Sequence, residues 1–294
     1  MRALNLGLDG GGSATRWVVC DAEGAILGRG ELPAISGHLF NKAERARLAA
    51  MAAALAEVLA AFGPITAAVA GVTGLSAGSA EAAMLAGVVR DAIGVAPDVR
   101  DDLWIAFHAA FRPGEGHVVY AGTGSIGLHV RGDGGVLRVG GRGMLIDDGG
   151  SAFWIGREAL RLVWRRIDAT GDPGGTALPR ALFAALGTSE WDGVRRVVYG
   201  GGRNAVAQLA RAVADAAAEG DADALTLLRA AGLELAELAR ALIQREGVLP
   251  VALLGRAAGL HPAITASMRN EVAGVRLVSV DAAAAAARMA AGEA

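Results

Sequence analysis

Cysteine, lysine and aromatic residues are scarce in this sequence of 294 residues. Its one cysteine, Cys20, cannot form an internal disulfide, and it cannot supply the set of thiolates that a zinc or iron–sulfur site within one chain requires. We expect it to be a buried strand residue. The tryptophans are dispersed and aromatic residues make up only 4% of the chain. This pattern favours core packing over a stacking platform for nucleic-acid bases.

The only lysine, Lys42, follows Phe40 and Asn41 and so stands outside a Gly-Lys-Ser/Thr motif. A Walker A loop needs that motif to hold nucleotide phosphates. Any nucleotide bound by this protein is therefore not held by a P-loop. The formal net charge of −2 provides no basic field that would attract nucleic acid, so we expect no nucleic-acid partner.

Long apolar segments are also missing. The chain is 53% hydrophobic, but alanine contributes most of the excess, and every alanine-rich window contains or borders charged residues. No window reaches the roughly 18–20 strongly apolar residues of a transmembrane helix. Asp9 and the glycine run that follows it stand where a signal peptide would have its apolar segment. We expect a cytoplasmic globular protein with no membrane partner.

Hydrophobic patterning predicts an α/β protein with two related halves. In each half a strand, a glycine-rich turn, a second strand, an Asp-Gly turn and a third strand follow one another. We place the domains at residues 1–115 and 116–294, with the closing helix packing back on the first domain. The predicted strands cover residues 3–8, 16–21, 25–31, 65–72, 98–101, 117–121, 126–131, 136–139, 248–254 and 275–280. The predicted helices cover residues 41–62, 80–93, 103–111, 152–167, 178–186, 204–219, 221–246 and 262–270, followed by an alanine-rich closing helix.

The paired glycine turns are the first functional signal. Glycine lets backbone amides approach a polyanion closely, so one turn per half could grip nucleotide phosphates from two sides. Either turn alone is more readily an ordinary hairpin turn in a chain with 43 glycines. Both connect strand to strand, whereas Rossmann and P-loop turns lead from a strand into a helix. Those two folds are disfavoured.

Four aspartates stand near the predicted turns. Asp9 opens the first glycine loop and either holds Mg²⁺ beside phosphates or caps the turn. Asp102 follows the predicted strand 98–101 and either caps the next helix or faces a cleft. Asp147 and Asp148 precede a predicted helix, where a carboxylate either caps that helix or orients metal-bound water. The residues alone leave these alternatives open.

Four segments together carry a family resemblance. They are Leu8-Asp-Gly-Gly-Gly-Ser13, Tyr120-Ala-Gly-Thr-Gly-Ser125, Val139-Gly-Gly-Arg142 with Asp148-Gly-Gly-Ser151, and Leu253-Leu-Gly255. In order and spacing they resemble the BadF/BadG-type ATPase family, and within it the glucosamine and N-acetylglucosamine kinases. The resemblance covers nearly the whole chain. It implies two actin-like (ribonuclease H-like) domains with ATP and Mg²⁺ in the cleft between them.

The resemblance also implies an activity and a set of site residues. It implies phosphorylation of the 6-hydroxyl of a small amino sugar, with Asp102 as general base and Asp9 as the carboxylate near the metal. The phosphate-binding residues would be Gly10, Gly11, Gly12, Ser13 and Thr15 in the first domain and Gly122, Thr123, Gly124 and Ser125 in the second. Gly255 would approach the adenine or ribose. The sugar contacts would be Asn41, Thr73, Gly74, Asp147 and Asp148.

Three positions depart from the family pattern. Many relatives carry an acidic residue where this chain has Gly149, a second glycine where it has Arg256, and Gly-Ala at the start of the closing helix where it has Asp281-Ala282. Acetyl specificity and nucleotide preference therefore stay open, as does the formation of a homodimer. Two other functions are kept as alternatives. One is an ATPase activator of an acyl-CoA dehydratase system, which would need cysteines to hold a shared cluster; the other is a non-catalytic nucleotide or sugar sensor.

Overall fold

A computed structural model describes residues 3–11 and 14–292 as two compact units, each with one five-stranded sheet. The first unit contains the described residues up to Arg112 and those from Val280 onward, and the second is Pro113–Ser279. The strands are β1 Asn5–Gly10, β2 Thr15–Cys20, β3 Ile26–Leu32, β4 Ala67–Val72, β5 Asp98–Asp101, β6 His117–Ala121, β7 Ser125–Val130, β8 Val136–Gly140, β9 Val251–Leu254 and β10 Val275–Leu277. The helices are α1 Lys42–Leu59, α2 Ala80–Ile93, α3 Asp102–Ala110, α4 Ala152–Thr170, α5 Ala177–Leu186, α6 Trp191–Ala218, α7 Ala222–Glu246, α8 Pro262–Glu271 and α9 Ala282–Ala290.

The two sheets have the same topology. Strand order is β3-β2-β1-β4-β5 in the first sheet and β8-β7-β6-β9-β10 in the second. In each sheet, three strands form an antiparallel meander. The first strand of the meander pairs in parallel with a fourth strand, and the fourth pairs in parallel with the fifth. This is the duplicated order that the repeated strand and glycine-turn pattern predicts.

Strand β1 has two buried faces because helices cover both sides of the first sheet. Leu6 and Leu8 belong to a core cluster that also contains buried residues of α1 and α2. Residues on the opposite face of the sheet pack against α9, the alanine-rich closing helix, so that Cys20 is buried in β2 as predicted. A Cβ atom placed on Gly7 would lie 2.0 Å from the carbonyl oxygen of Ala283, which shows how closely α9 approaches β1.

The core of the second unit explains much of the alanine excess. Val119, Val251 and Leu253 of the sheet share one buried cluster with residues of α4 to α8. Small side chains let neighbouring helix axes approach closely, so alanine is used repeatedly at these contacts. The fully or almost fully buried alanines of this cluster include Ala159, Ala210, Ala216, Ala231, Ala236 and Ala239.

Helix α6 differs most from the sequence prediction. It begins at Trp191, whereas the predicted helix begins at residue 204, and Gly202 forms a kink between its two helical segments. Gly202 has φ 59° and ψ −146°, a backbone conformation that is essentially restricted to glycine. The expected core role of Trp191 is also wrong, since this side chain is 50% exposed and lines an open pocket of about 550 Å³ together with Tyr199.

Within the described ranges, no helix combines the length and the apolar composition needed to cross a membrane.

Candidate functional site

The carboxyl ends of three parallel strands define the candidate site of the first unit. In register, Asp9 of β1 is opposite Gly71 of β4, and Val72 of β4 is opposite Asp101 of β5. The chain segments that leave these strands therefore begin at one edge of the sheet. In open α/β sheets, ligands bind at that edge.

A close backbone contact brings Asp102 to the same edge as Asp9. A Cβ atom on Gly71 would lie 3.4 Å from the Cα atom of Asp102, so the first turn of α3 lies directly against β4. Since Gly71 is the register partner of Asp9, two carboxylates converge there. The negative charge of Asp9 is one of the causes that raise the pKa of Asp102.

The Asp102 carboxylate is held by two hydrogen bonds. Its Oδ2 accepts from the Thr73 hydroxyl at 2.6 Å, and its Oδ1 accepts from the Leu103 N–H at 2.9 Å. Burial is the main cause that raises the pKa of Asp102, the hydrogen bond from Thr73 opposes it, and the charge of Asp101 adds to the rise. The N-cap of α3 is Asp101, whose Oδ1 accepts from the N–H groups of Leu103 and Trp104. Asp102 is therefore not needed as the helix cap.

Asp9 occupies a mostly buried position at the end of β1. Its Oδ2 lies 3.7 Å from Nη1 of Arg16, which faces it across the hairpin. Burial raises the pKa of Asp9, Arg16 lowers it, and the charge of Asp281 at the start of α9 raises it again. A carboxylate that is costly to keep ionised in this position would gain from a bound cation.

The first glycine loop is only partly described. Gly10 ends β1, and the Gly11 N–H donates to the Ala14 carbonyl at 3.1 Å. Gly12 and Ser13, predicted as phosphate-binding residues, lie outside the described residues. The Thr15 hydroxyl donates to the Pro33 carbonyl at 2.9 Å, so a structural hydrogen bond already uses this predicted ligand.

The predicted sugar contacts of the first unit lie on two linked segments. The Thr73 N–H donates to the Gly10 carbonyl and the Thr73 carbonyl accepts from Gly37, which ties the chain after β4 to the segment before α1. Gly74 follows at φ 77°, with the His38 ring 3.8 Å from the position of a Cβ atom. Asn41 caps α1 through its Oδ1, which accepts from Ala43, and this leaves its side-chain amide nitrogen for a ligand.

Hydrogen bonds to the start of α4 hold the second glycine loop in place. The carbonyls of Gly122 and Thr123 accept from the N–H groups of Ala152 and Phe153, at 2.9 and 3.3 Å, and the Ser125 hydroxyl donates to the Gly149 carbonyl at 2.6 Å. Among the described residues, the backbone N–H groups of Thr123 and Gly124 donate no hydrogen bond. A preorganised turn with two such amides is a binding site for an anion.

Gly255 lies beside the second loop because β9 and β6 are parallel neighbours. A Cβ atom on Gly255 would lie 2.3 Å from the Ala121 carbonyl oxygen, and the Ala257 N–H donates to that oxygen at 2.9 Å. Only glycine allows the chain to pass this close to the residue that precedes Gly122. Arg256 is exposed.

Asp147 and Asp148 do not cap α4, whose N-cap is Ser151. Asp147 Oδ1 accepts from the Gly149 N–H at 3.1 Å. Asp148 is only 2% exposed, has the left-handed φ of 66°, and pairs through Oδ2 with Nη2 of Arg203 at 2.8 Å.

Two charged residues that the sequence reasoning missed are Arg203 and Glu234. A Cβ atom on Gly149 would lie 2.5 Å from Glu234 Oε2. The carboxylate of Glu234, on α7, therefore stands where an acidic side chain on residue 149 would begin. Burial and the neighbouring charge of Asp147 raise the pKa of Glu234. Arg203 and Glu234 both lie outside the segments that carry the family resemblance.

Comparison with known proteins agrees with this architecture. An N-acetylmuramic acid/N-acetylglucosamine kinase of Clostridium acetobutylicum is 29% identical over 148 residues, which are 50% of this chain and 48% of that enzyme. The chain thus matches only about half the length of this curated relative. The crystal structure of a Chromobacterium violaceum protein provisionally described as an N-acetylglucosamine kinase is 27% identical, with a TM-score of 0.76 and 98% of each chain covered.

A more distant structure extends the likeness of fold. A ROK family glucokinase from Streptomyces griseus, solved with glucose and AMPPNP, is 17% identical with a TM-score of 0.60, covering 98% of this chain and 99% of that one. The predicted actin-like α/β fold is confirmed. Residues 6–290 match the BadF/BadG/BcrA/BcrD ATPase family, and the chain belongs to that family.

Proposed function

We propose that this protein is an ATP-dependent kinase that phosphorylates the 6-hydroxyl of an amino sugar, glucosamine or N-acetylglucosamine. The observation that carries the proposal is the Asp102 carboxylate, held by Thr73 next to Asp9 at the carboxyl ends of β1, β4 and β5. The names of the Clostridium acetobutylicum and Chromobacterium violaceum relatives support an amino sugar as the acceptor.

Asp102 is proposed as the general base. It accepts the proton of the sugar hydroxyl while the hydroxyl oxygen forms a bond to the γ-phosphorus, and the bond from that phosphorus to the bridging oxygen of ADP breaks. ADP and the sugar 6-phosphate are the products. A carboxylate with a raised pKa is a stronger base than an ordinary aspartate, and the position of Asp102 provides that property.

Thr73 is proposed as a positioning residue. Its hydroxyl donates to Oδ2 of Asp102 at 2.6 Å, and its backbone joins Gly10 to Gly37. The carboxylate is thereby fixed in one orientation before the acceptor binds. Phosphoryl transfer depends mainly on such alignment and on neutralisation of charge.

The second unit is proposed to bind the phosphates through the turn at Gly122–Ser125. The amides of Thr123 and Gly124 are the donors, and the hydrogen bonds to α4 hold them in place without reorganisation. Gly255 is proposed to border the adenosine, and Asn41, Gly74, Asp147 and Asp148 remain the proposed sugar contacts. Glu234 joins them, because its carboxylate lies beside Gly149.

Asp9 fits a magnesium ion bound together with the nucleotide. The described residues contain no group of three or more metal-ligating side chains. Mg²⁺ suits such a site because it usually keeps several waters and takes one or two carboxylates plus substrate phosphates. When bound, it would neutralise phosphate charge. Asp9, with its pKa raised by burial, is the carboxylate of this site.

A coupled assay of ADP release tests the proposed activity. The acceptors are glucosamine, N-acetylglucosamine, N-acetylmuramic acid and glucose, each with MgATP. We expect turnover with one of the first two sugars and formation of its 6-phosphate. ATP hydrolysis that is independent of sugar would favour the activator, and nucleotide binding without turnover would favour the sensor. Cys20, the only cysteine, is buried beneath α9, which argues against the activator.

Replacement of Thr73 by valine should move the acid limb of the kcat–pH profile to higher pH. The Thr73 hydrogen bond lowers the pKa of Asp102, so its loss raises that pKa, and the base becomes protonated at a higher pH. The measurement is kcat against pH for the wild type and Thr73→Val. Thr73→Ser keeps the hydroxyl and should restore the wild-type limb. An unshifted limb in Thr73→Val would remove Thr73 from this role.

A further inference from the structure

Arg203 reaches the second glycine loop because of the kink in α6. The run Gly200-Gly201-Gly202 ends one helical segment, and Arg203 is the first residue of the next. It is far from the loop in sequence, yet its Nη2 lies 2.3 Å from where a Cβ atom on Gly124 would be. The guanidinium therefore lies directly against the loop at Gly124.

One ion pair fixes the Arg203 side chain in that position. Nη2 donates to Oδ2 of the buried Asp148 at 2.8 Å, and both Asp148 carboxylate oxygens lie within 3.0 Å of the Cβ position of Gly124. The side chain of Arg203 is nevertheless 41% exposed. The pair holds the cation beside the loop and leaves part of it open to solvent.

The guanidinium has donors that Asp148 does not use. Its Nε is buried and has no hydrogen-bond partner among the residues the structure describes, and Nη1 likewise makes no hydrogen bond there. An arginine head group has five N–H donors, and Asp148 takes one of them. The spare donors point to a second anion.

We propose that Arg203 binds a phosphate group of the nucleotide at the second glycine loop. This inference rests on the proposed function, which places a nucleoside di- or triphosphate there. Hydrogen-bond donors at this loop come from the backbone amides of Thr123 and Gly124 and from Nη1 of Arg203. The planar arginine fork suits phosphate oxygens. With one lysine in the whole chain, at the N-terminal end of α1, arginine is the cation available to this loop.

Calorimetric titration with ADP, and ligand-observed NMR with adenosine, test the assignment. The variants are Arg203→Gln, which keeps a donor for Asp148 but loses the charge, and Arg203→Lys, which keeps the charge but loses the fork. Arg211→Gln is the control, because Arg211 is an exposed residue of the same helix that pairs with Asp215. This substitution also removes one positive charge, but at a position away from the loop.

For Arg203→Gln we expect the dissociation constant for ADP to rise about tenfold or more, as loss of a charge-assisted hydrogen bond implies. Arg203→Lys should show a smaller rise, and Arg211→Gln should match the wild type. Adenosine affinity should be the same in all four proteins, because adenosine has no phosphate.

Two results would overturn the assignment while leaving the nucleotide site intact. The first is that both Arg203 variants bind ADP with an affinity within twofold of the wild type. The second is that they lose ADP affinity and adenosine affinity equally, which would indicate a structural role for Arg203. If the wild type itself binds no ADP, the proposed function fails and the assignment fails with it. Arg203→Lys keeps the test decisive if the glutamine variant does not fold.

Discussion

Replacement of Asp102 by asparagine is expected to lower kcat by about 10²- to 10⁴-fold, the usual contribution of a general base. Asparagine keeps an oxygen that can accept from the Thr73 hydroxyl, so the local geometry is retained while the proton acceptor is lost. The coupled ADP assay with the preferred sugar measures the effect. The Michaelis constants should change much less than kcat.

The same substitution should raise the melting temperature at pH 7. The pKa of Asp102 is raised in the folded protein, mainly by burial, so the ionised carboxylate is less stable there than in the unfolded chain. Neutral asparagine removes that penalty at every pH above the unfolded pKa. Asp102 would then be a residue whose charge serves catalysis at the expense of stability.

Asp101→Asn is the matched control for both measurements. Asp101 is the adjacent carboxylate and caps α3, and asparagine is an equally good N-cap. Turnover at pH 7 should therefore stay close to the wild type. The melting temperature should rise less than in Asp102→Asn, because the charge of Asp101 is one of the smaller causes that raise the pKa of Asp102. Asp102→Asn with more than a tenth of wild-type turnover would exclude the base role, and a lowered melting temperature would contradict the stated cost of the charge.

Replacement of Gly7 by alanine should destabilise the protein by about 3 kcal/mol or more, at the upper end of overpacking costs. The added Cβ would lie 2.0 Å from the Ala283 carbonyl oxygen and 2.3 Å from the Ala287 nitrogen. These are backbone atoms of α9, which cannot move aside as a flexible side chain can. The helix would have to shift away from the sheet.

Urea unfolding at pH 7 measures the change, and Gly87→Ala is its control. Gly87 lies inside α2, and a Cβ atom there would meet nothing within 4 Å. Alanine should stabilise that helix by roughly 0.5–1 kcal/mol. If Gly7→Ala unfolded at the same urea concentration as Gly87→Ala, the close packing of α9 on β1 would be wrong.

Most elements and the duplicated topology could be predicted from the sequence because their signals are local. Glycine turns, Asp-Gly turns and apolar runs at strand spacing mark the three-stranded meander in each half. The ends of β5, β6 and α2 agree with the prediction to the residue. The exception is α6, which begins at Trp191 where the prediction begins a helix at residue 204.

The choice between capping and site roles for the aspartates needed tertiary contacts. The sequence leaves open whether Asp102 caps the next helix or faces a cleft. The structure has Asp101 as the N-cap of α3, while Asp102 accepts a hydrogen bond from Thr73. In the same way Ser151, not Asp147 or Asp148, caps α4. The proposed roles of these residues in binding and catalysis stay predictions.

By itself, the sequence determined the succession of strands and turns along each half, the position of both glycine turns and the family to which the chain belongs. The tertiary structure alone decided that Arg203 contacts Gly124 and that Glu234 lies beside Gly149. The physical reason is the range of the interactions. Turns and strand periodicity depend on neighbours in the chain, whereas these contacts join residues far apart in sequence and form only when whole helices pack.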